Sequence, residues 1–575
     1  MSYSQTFQKW LTNVTLEEEL KDHLQQMQTD EKKREDAFYK NLEFGTGGMR
    51  GEIGAGTNRM NTYTVRKASQ GIANFIIAAG NEAMKRGVVI AYDSRRKSPE
   101  FASEAAATFA KNGIQAYVYE SPRTTPQLSF SVRELNAFMG VVITASHNPP
   151  EYNGYKVYGE DGAQLNLEDA ERVISFVNEI GDELAIEKGD FSSLHKEGAI
   201  RYVGAQLDQL YGEAVKSVQL QSKLTMKQNI SVVFSPLHGA SGETVQTIMT
   251  EAGYTQFDYV TEQMKPDGEF PTLQSPNPEE ASSFELAKKK GKQTNAEILI
   301  TVDPDGDRVG IAVKKEEDYI LLTGNQTGAI LIEYLLTQIK EKGEMPANGR
   351  VFKTIVTSDL GRVIAEYHGA STEDVLTGFK FIGEKIKQYE ETKEFQFLFG
   401  YEESYGYLIK PFARDKDAIQ SVMAITEAAA YYKSQGKSLL EVLHDLYERH
   451  GYYLEGLVSV TKKGADGARA IQRLLASLRE NPLQEIAGMS ITSEEDYSTQ
   501  TRSFRDGREK EKLFLPKSNV IKYFLEDGSW VCVRPSGTEP KIKYYIGVTS
   551  LTELDSKAKL NRLSQNFTNE MNTRF

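Results

Sequence analysis

The chain has 575 residues, enough for about four domains at roughly 150 residues each, because a single core does not grow to that size. Lys and Arg number 68 against 81 Asp and Glu, a formal net charge of −13, with 39% hydrophobic and 26% charged residues. That is a soluble globular composition, and an acidic surplus without a Lys/Arg tract repels a phosphate backbone. Nucleic acid is therefore excluded as the main partner, while a local basic pocket for a small phosphorylated ligand is not.

The sole cysteine, Cys532, excludes an intramolecular disulfide framework and a cysteine-based zinc cluster, and fits a reducing compartment. Residues 1–5 carry no basic stretch ahead of an apolar one, and the most apolar windows, 72–79 and 329–336, are too short to span a bilayer. A cytoplasmic location with no membrane attachment is expected.

In chain order, Trp10, Leu11, Leu16, Leu20 and Leu24 recur near a 3.6 period among charges, which predicts a helical arm over 1–43. Over 44–205, β-rich runs at 88–92, 116–119 and 140–143 alternate with helical stretches at 66–86 and 99–112. That alternation predicts a largely parallel α/β layer. The pattern restarts over 206–322, with strands at 230–234 and 298–302, and again over 323–450, with strands at 351–356 and 395–399. From 451 to 575 the grammar changes to strands at 454–460, 520–525, 531–533 and 542–548 around helices at 467–477 and 551–567, which predicts an α+β domain with a mainly antiparallel sheet.

The polar clusters fall directly after predicted strands. Thr144-Ala145-Ser146-His147-Asn148-Pro149 follows Ile143, Asp303-Pro304-Asp305-Gly306-Asp307-Arg308 follows Val302, and Gly400-Tyr401-Glu402-Glu403-Ser404-Tyr405-Gly406 follows Phe399. Ligands collect at the carboxyl ends of strands in open α/β sheets, so the three loops are expected to line one cleft.

Asp303, Asp305 and Asp307 alternate on a bent loop, an arrangement that converges carboxylates on one hard cation, expected to be Mg²⁺. An EF-hand is excluded, because Arg308 stands where Gly is required and Lys314 where a bidentate Glu belongs. The other reading is an Asp-rich surface turn. Ser146 beside His147 is placed to carry a phosphoryl group, although the same residues also form an ordinary Ser/Asn turn. A hydrolase triad lacks its Gly-x-Ser-x-Gly elbow. Arg534-Pro535-Ser536-Gly537-Thr538-Glu539-Pro540-Lys541 holds the inventory of a phosphate cradle, or of a tight turn. Lys156, on its own residues, reads as a solvated lysine after an Asn153-Gly154 turn. His238 reads as structural, and the remaining histidines show no metal spacing.

Together these residues closely resemble the α-D-phosphohexomutase family of phosphoglucomutases and phosphomannomutases. The likeness runs in order through Phe44 to Gly51, Tyr92-Asp93-Ser94-Arg95, Thr144 to Pro149, Asn153 to Lys156, Asp303 to Arg308, Thr377 to Phe381, Gly400 to Ser404 and Arg534 to Thr538. The long arm and the Gly-Tyr-Glu-Glu-Ser form are most similar to the longer bacterial phosphoglucomutases, and also to phosphopentomutases.

The resemblance implies three similar α/β domains plus a C-terminal α+β domain of the TATA-box-binding-protein-like type around a central cleft. Ser146 would be the phosphoserine, bound with Asp303, Asp305 and Asp307 to Mg²⁺. Lys156 would be the general acid/base, with its pKa depressed by nearby arginines and the ion. Arg50, Arg308 and Lys416 would bring positive charge, and His147 would lie beside the nucleophile. Gly378, Phe379 and Lys380 would sense sugar orientation, Glu402 and Ser404 would bond sugar hydroxyls, and Arg534, Ser536, Gly537 and Thr538 would hold the unreactive phosphate. The implied reaction interconverts α-D-glucose 1-phosphate and glucose 6-phosphate through glucose 1,6-bisphosphate, by a monomer or homodimer; mannose or pentose phosphates are the alternative substrates.

Two other classes share part of this residue pattern. An aspartyl phosphatase with Asp303 as nucleophile leaves the Ser146 and Ser404 loops unexplained. A sugar-phosphate sensor without turnover would have lost Ser146 or one of the three aspartates, and all are present.

Overall fold

The computed structural model describes residues 2–45, 47–462, 464–536 and 541–575. Residues 1–327 with 379–438 form one compact unit, and residues 328–378 with 439–575 form a second.

The arm is three helices, Tyr3–Leu11, Glu18–Met27 and Glu31–Phe38. Ser2 opens the first by a capping box with Gln5, and Asn13 ends its run by accepting from the Thr15 amide at 2.9 Å. The 3.6 period gathers Phe7, Trp10, Leu16, Leu20, Leu24 and Phe38 into one core with Tyr63 of the body. Trp10 Nε1 donates to Glu183 Oε1 at 2.9 Å, so the arm is joined to the first domain by a buried polar contact as well.

The first sheet comprises β1 (Met49–Glu52), β2 (Val88–Tyr92), β3 (Ala116–Tyr119), β4 (Met139–Ile143), β5 (Tyr152–Tyr158) and β6 (Ile200–Val203), in the order β1-β5-β4-β2-β3-β6. β2 pairs in parallel with β3 and β4, and β3 with β6, whereas β5 runs antiparallel to β4 and β1. Every residue of β2 and β4 is buried, as expected of strands covered on both faces. Val88, Ile90, Val141 and Ile143 face Ile72 and Phe109 of the helices Thr62–Ala79 and Ser98–Lys111; Val89, Ala91 and Val142 face Leu128 and Val132 of Thr125–Glu134. The helix expected over 66–86 is broken at Gly80, whose φ of 102° only glycine adopts readily.

The second sheet contains β7 (Val232–Ser235), β8 (Phe257–Tyr259), β9 (Ile298–Val302), β10 (Val309–Lys315) and β11 (Asp318–Leu321), in the order β11-β10-β9-β7-β8. β7 is parallel to β8 and β9, while β10 returns antiparallel to β9, so Asp303–Arg308 forms the turn of a hairpin. In the second unit, β12 (Gly349–Thr354) and β13 (Ser371–Val375) pair in parallel. In the first, β14 (Gln396–Glu402) and β15 (Gly406–Leu408) form an antiparallel hairpin.

The C-terminal sheet is built from β16 (Tyr452–Thr461), β17 (Glu485–Ile486), β18 (Met489–Asp496), β19 (Thr501–Phe504), β20 (Glu511–Lys512), β21 (Ile521–Leu525), β22 (Trp530–Pro535) and β23 (Lys541–Ser550). Its pairings are antiparallel. The helices Gly464–Glu480 and Glu553–Arg574 bring Leu474, Leu478, Leu563 and Phe567 onto the core that Ile521, Tyr523, Tyr544 and Ile546 present. This is the α+β architecture expected for the region. Among the described residues no helix is long and apolar enough to cross a membrane.

Candidate active site

β4 ends at Ile143, and the chain turns sharply enough that Ser146 takes a left-handed φ of 51°, a conformation that costs a non-glycine residue energy and persists only where its surroundings impose it. Here they do. The Ser146 amide donates to Thr144 Oγ1 at 2.8 Å, and Thr144 Oγ1 donates to Asp93 Oδ2 at 2.6 Å. Asp93, at the carboxyl end of the neighbouring β2, also accepts from Ser98 Oγ at 2.9 Å and from the Arg95 amide at 3.0 Å. The fully buried Arg95 guanidinium donates to the carbonyls of Ser146, Asn148, Pro149 and Tyr152, and lies over the Phe270 ring.

The Asp303–Arg308 hairpin turn meets this loop directly. Ser146 Oγ donates to Asp303 Oδ2 at 2.6 Å. Asp303 Oδ1 accepts the amides of Asp307 at 3.0 Å and Arg308 at 2.9 Å, so the carboxylate caps its own turn. Gly306 makes the turn possible: its φ is 71°, and a Cβ there would stand 2.5 Å from Thr124 Cγ2. Asp305 Oδ2 accepts from Thr125 Oγ1 at 2.9 Å and from Lys156 Nζ at 2.8 Å. Lys416 Nζ lies 3.1 Å from Asp307 Oδ2 and 3.0 Å from Asp415 Oδ1.

This geometry fits a hard cation. Asp303, Asp305 and Asp307 are all buried, and one oxygen from each falls within 4.8 Å of the others. Asp305 Oδ1 and Asp307 Oδ1 have no hydrogen-bond partner, although buried carboxylate oxygens normally have one. Burial, together with the charges of Asp305 and Asp307, raises the Asp303 pKa above the ordinary carboxylate range. A divalent ion on an all-oxygen set removes both penalties.

One expectation about Lys156 is corrected. Asn153-Gly154 is not a turn: both residues lie in β5, whose register sets Lys156 opposite Val142 of β4 and buries it. The protein's own charges, with no ion counted, do not depress the lysine pKa. Burial does oppose the charge, but Asp305 and Asp307 outweigh it and hold the pKa above the usual value. The charges acting most strongly on this amine are those of Asp305 and Asp307, with the Lys416 cation opposing them.

The remaining predicted residues divide by location. His147 Nδ1 is 3.3 Å from Ser146 Oγ, and burial, with Arg308 and Arg50 nearby, pushes its pKa well below normal. Arg50, on β1, reaches Asn148 Oδ1 at 2.9 Å. Arg308 bonds Glu279 Oε1 at 2.5 Å. Glu402 is buried at the end of β14, in the field of Arg308 and Lys416, with the half-buried Ser404 on the turn that follows. The Phe379 ring lies 5.6 Å from Lys416 Nζ. Lys380, one residue on, instead lines a separate cavity of about 90 Å³ with Asp161, Asn166 and Glu384. Gly378, with φ 123°, ends the stretch assigned to the second unit. Also there, Arg534 Nη1 donates to Tyr545 Oη at 3.4 Å and the Ser536 amide to the Lys541 carbonyl at 2.8 Å. Gly537 and Thr538 lie outside the described residues.

Several contributors have no role assigned to them by the sequence. Asp93 and Arg95 follow a buried strand just as Ser146 does, and the same rule applied to β2 would have found them. Asp415 adjoins the predicted Lys416. Thr125 and Glu279 carry no local signal, since each reaches the site only through the packing of another element.

The family comparison decides what this arrangement belongs to. The phosphoglucomutase/phosphomannomutase α/β/α domains I, II and III match residues 41–183, 209–316 and 323–450, and the C-terminal domain matches 474–565. The chain belongs to the phosphoglucomutase/phosphomannomutase family. As a member of this α-D-phosphohexomutase family it is an isomerase, an intramolecular phosphotransferase, with three α/β domains and a distinct C-terminal one. The phosphoglucomutase of Staphylococcus aureus strain MSSA476 is 36% identical over 559 residues, covering 97% of this chain and 98% of that protein. Among solved structures, a putative phosphomannomutase from Thermus thermophilus superposes with a TM-score of 0.68 at 20% identity, over 93% of this chain and 99% of its own. The open form of Paramecium parafusin, a phosphoglucomutase, gives a TM-score of 0.68 at 17% identity, over 93% of this chain and 95% of its own.

Proposed function

We propose that this phosphohexomutase interconverts α-D-glucose 1-phosphate and glucose 6-phosphate, with Ser146 as the phosphoryl carrier and glucose 1,6-bisphosphate as the intermediate. The observation that carries the reading is the contact of Ser146 Oγ with Asp303 Oδ2 at 2.6 Å, beside two carboxylate oxygens that accept no hydrogen bond. The choice of glucose follows the phosphoglucomutase relatives at 36% identity over nearly the whole chain.

Phosphoryl transfer asks a protein chiefly for positioning and charge stabilisation. In the resting enzyme Ser146 carries the phosphoryl group. The bond between phosphorus and Ser146 Oγ breaks as one forms to a free sugar hydroxyl; that hydroxyl loses its proton, and Ser146 Oγ regains one. The bisphosphate turns over in the site and returns its other phosphoryl group to Ser146 by the reverse exchange. Arg50 and Arg308 supply fixed positive charge near the moving group. Asp303, Asp305 and Asp307 would hold Mg²⁺, which when bound adds charge stabilisation at the transferring phosphoryl. Lys156, protonated between Asp305 and Asp307, is the proton donor, and it becomes a usable base only when those carboxylates are engaged elsewhere. Glu402 and Ser404 would bond sugar hydroxyls, Gly378, Phe379 and Lys380 would sense sugar orientation, and Arg534, Ser536, Gly537 and Thr538 would grip the phosphate that is not reacting.

A ³¹P NMR time course of glucose 1-phosphate with Mg²⁺ and a trace of glucose 1,6-bisphosphate tests the reading. Conversion to glucose 6-phosphate without inorganic phosphate is expected. Turnover of mannose 1-phosphate or ribose 1-phosphate at a clearly higher kcat/KM would reassign the sugar.

A further inference from the structure

The first unit contains a cavity of about 510 Å³ that shares no lining residue with the Ser146 site. It lies where the arm helix Glu18–Met27 faces the amino-terminal half of Ser98–Lys111, with residues 188–192 closing a third side. Pockets that enclose small organic ligands run roughly 300 to 1,000 Å³, so this one has room for such a molecule.

Its chemistry is uneven in a way that selects a ligand. Ile53, Pro99 and Phe191 give it apolar surface, while Glu17, Glu19, Glu100, Glu104 and Asp190 share it with Lys97, Lys188 and His23. Glu104 is taken by Arg66, 2.6 Å away in a buried pair, and Glu19 by Lys97. Asp190 caps the helix that follows it, accepting from the Ser193 amide. Glu17 and Glu100 form no ion pair among the described residues and add their fields to that of Glu19 around Lys97. Surplus carboxylate charge beside the half-buried ring of Phe191 is complementary to an ammonium group on a hydrocarbon body. An anionic sugar phosphate would be repelled.

We propose that this cavity is a second ligand site, separate from the sugar-phosphate site, that takes a small amphipathic organic cation between the arm and the first domain. Isothermal titration of the full chain in Mg²⁺ with 2-phenylethylamine tests it, with 3-phenylpropionate as the anionic control. One amine per chain is expected, the carboxylate should not bind, and glucose 1-phosphate should not compete. Ser103→Trp, which places an indole in the cavity, should weaken the amine at least tenfold, and the exposed Glu100→Gln should weaken it several-fold without disturbing the fold. Amine and carboxylate binding alike, amine affinity unchanged in both variants, or no heat at millimolar amine would each overturn the proposal. None of these readouts requires turnover, so the result stands apart from the choice of sugar.

Discussion

The guanidinium of Arg95 donates to the main-chain carbonyl of Ser146 and, from the same side chain, to those of Asn148, Pro149 and Tyr152, with the last two at 2.9 and 3.1 Å. One planar cation thus sets the path of the loop that presents the nucleophile, and Asp93 holds that cation in place from 3.4 Å. A lysine keeps the charge but lacks the fork needed to reach several carbonyls at once. Arg95→Lys should therefore lower kcat by about 10²-fold through misplacement of Ser146, with KM changed less than threefold. Steady-state kinetics that keep kcat within a factor of two would remove Arg95 from the positioning role.

Ser146→Ala should abolish isomerisation and the incorporation of ³²P from labelled glucose 1,6-bisphosphate. The substitution deletes one donor to Asp303 Oδ2, while the two amides on Asp303 Oδ1 remain. Losing a single hydrogen bond to a buried carboxylate costs about 2 kcal/mol. A thermal melt should therefore move by only a few degrees, and substantial turnover in the alanine protein would transfer the phosphoryl carrier to another side chain.

What the sequence reveals of this fold is what local pattern can encode. Runs 88–92, 116–119 and 298–302 are β-rich stretches, apolar but for Thr301 and each followed by an acidic residue, and they are strands with those bounds in the structure. The loops after Ile143 and Val302 follow from them, and so does the meeting of Ser146 with the aspartates. β5 was not legible, because Asn153-Gly154 is a turn signal on local grounds. It becomes strand because β1 and β4 flank it on both edges, pairing Met49 with Tyr155 and Val142 with Lys156. That long-range pairing turns an apparently solvated lysine into a buried partner of Asp305. Arg95 is the same case: nothing adjacent in sequence states that its guanidinium will collect carbonyls from 146 to 152.

Asp305→Asn tests the metal reading through stability as well as rate. A ligand that binds only the folded state raises stability by RT ln(1 + [L]/Kd), about 2.7 kcal/mol at a hundredfold excess over Kd. Mg²⁺ should raise the Tm of the wild-type protein after EDTA treatment. In the asparagine variant, which loses one of three converging carboxylates, most of that rise should disappear along with activity. An undiminished Mg²⁺-dependent shift would place the ion elsewhere.

The second unit carries a pH dependence of its own. Asp359 lies 3.1 Å from the buried Lys353 and 3.4 Å from Arg362. Burial opposes its charge, but Lys353, Lys522 and Arg362 overcome that and hold its pKa at about 2 against an ordinary 3.8. Because the folded carboxylate takes up its proton at lower pH than the unfolded one, its stabilisation is complete above pH 3.8 and is lost as pH falls through about 2. Asp359→Asn should be less stable than wild type at pH 6, and the gap should close between about pH 4 and pH 2. Urea unfolding followed by Trp530 fluorescence in a Trp10→Phe background reads this unit, since these are the only two tryptophans and Trp530 lies 4.4 Å from Lys522 Nζ. A gap independent of pH over that range would mean that packing at Asp359, rather than its charge, contributes the stability.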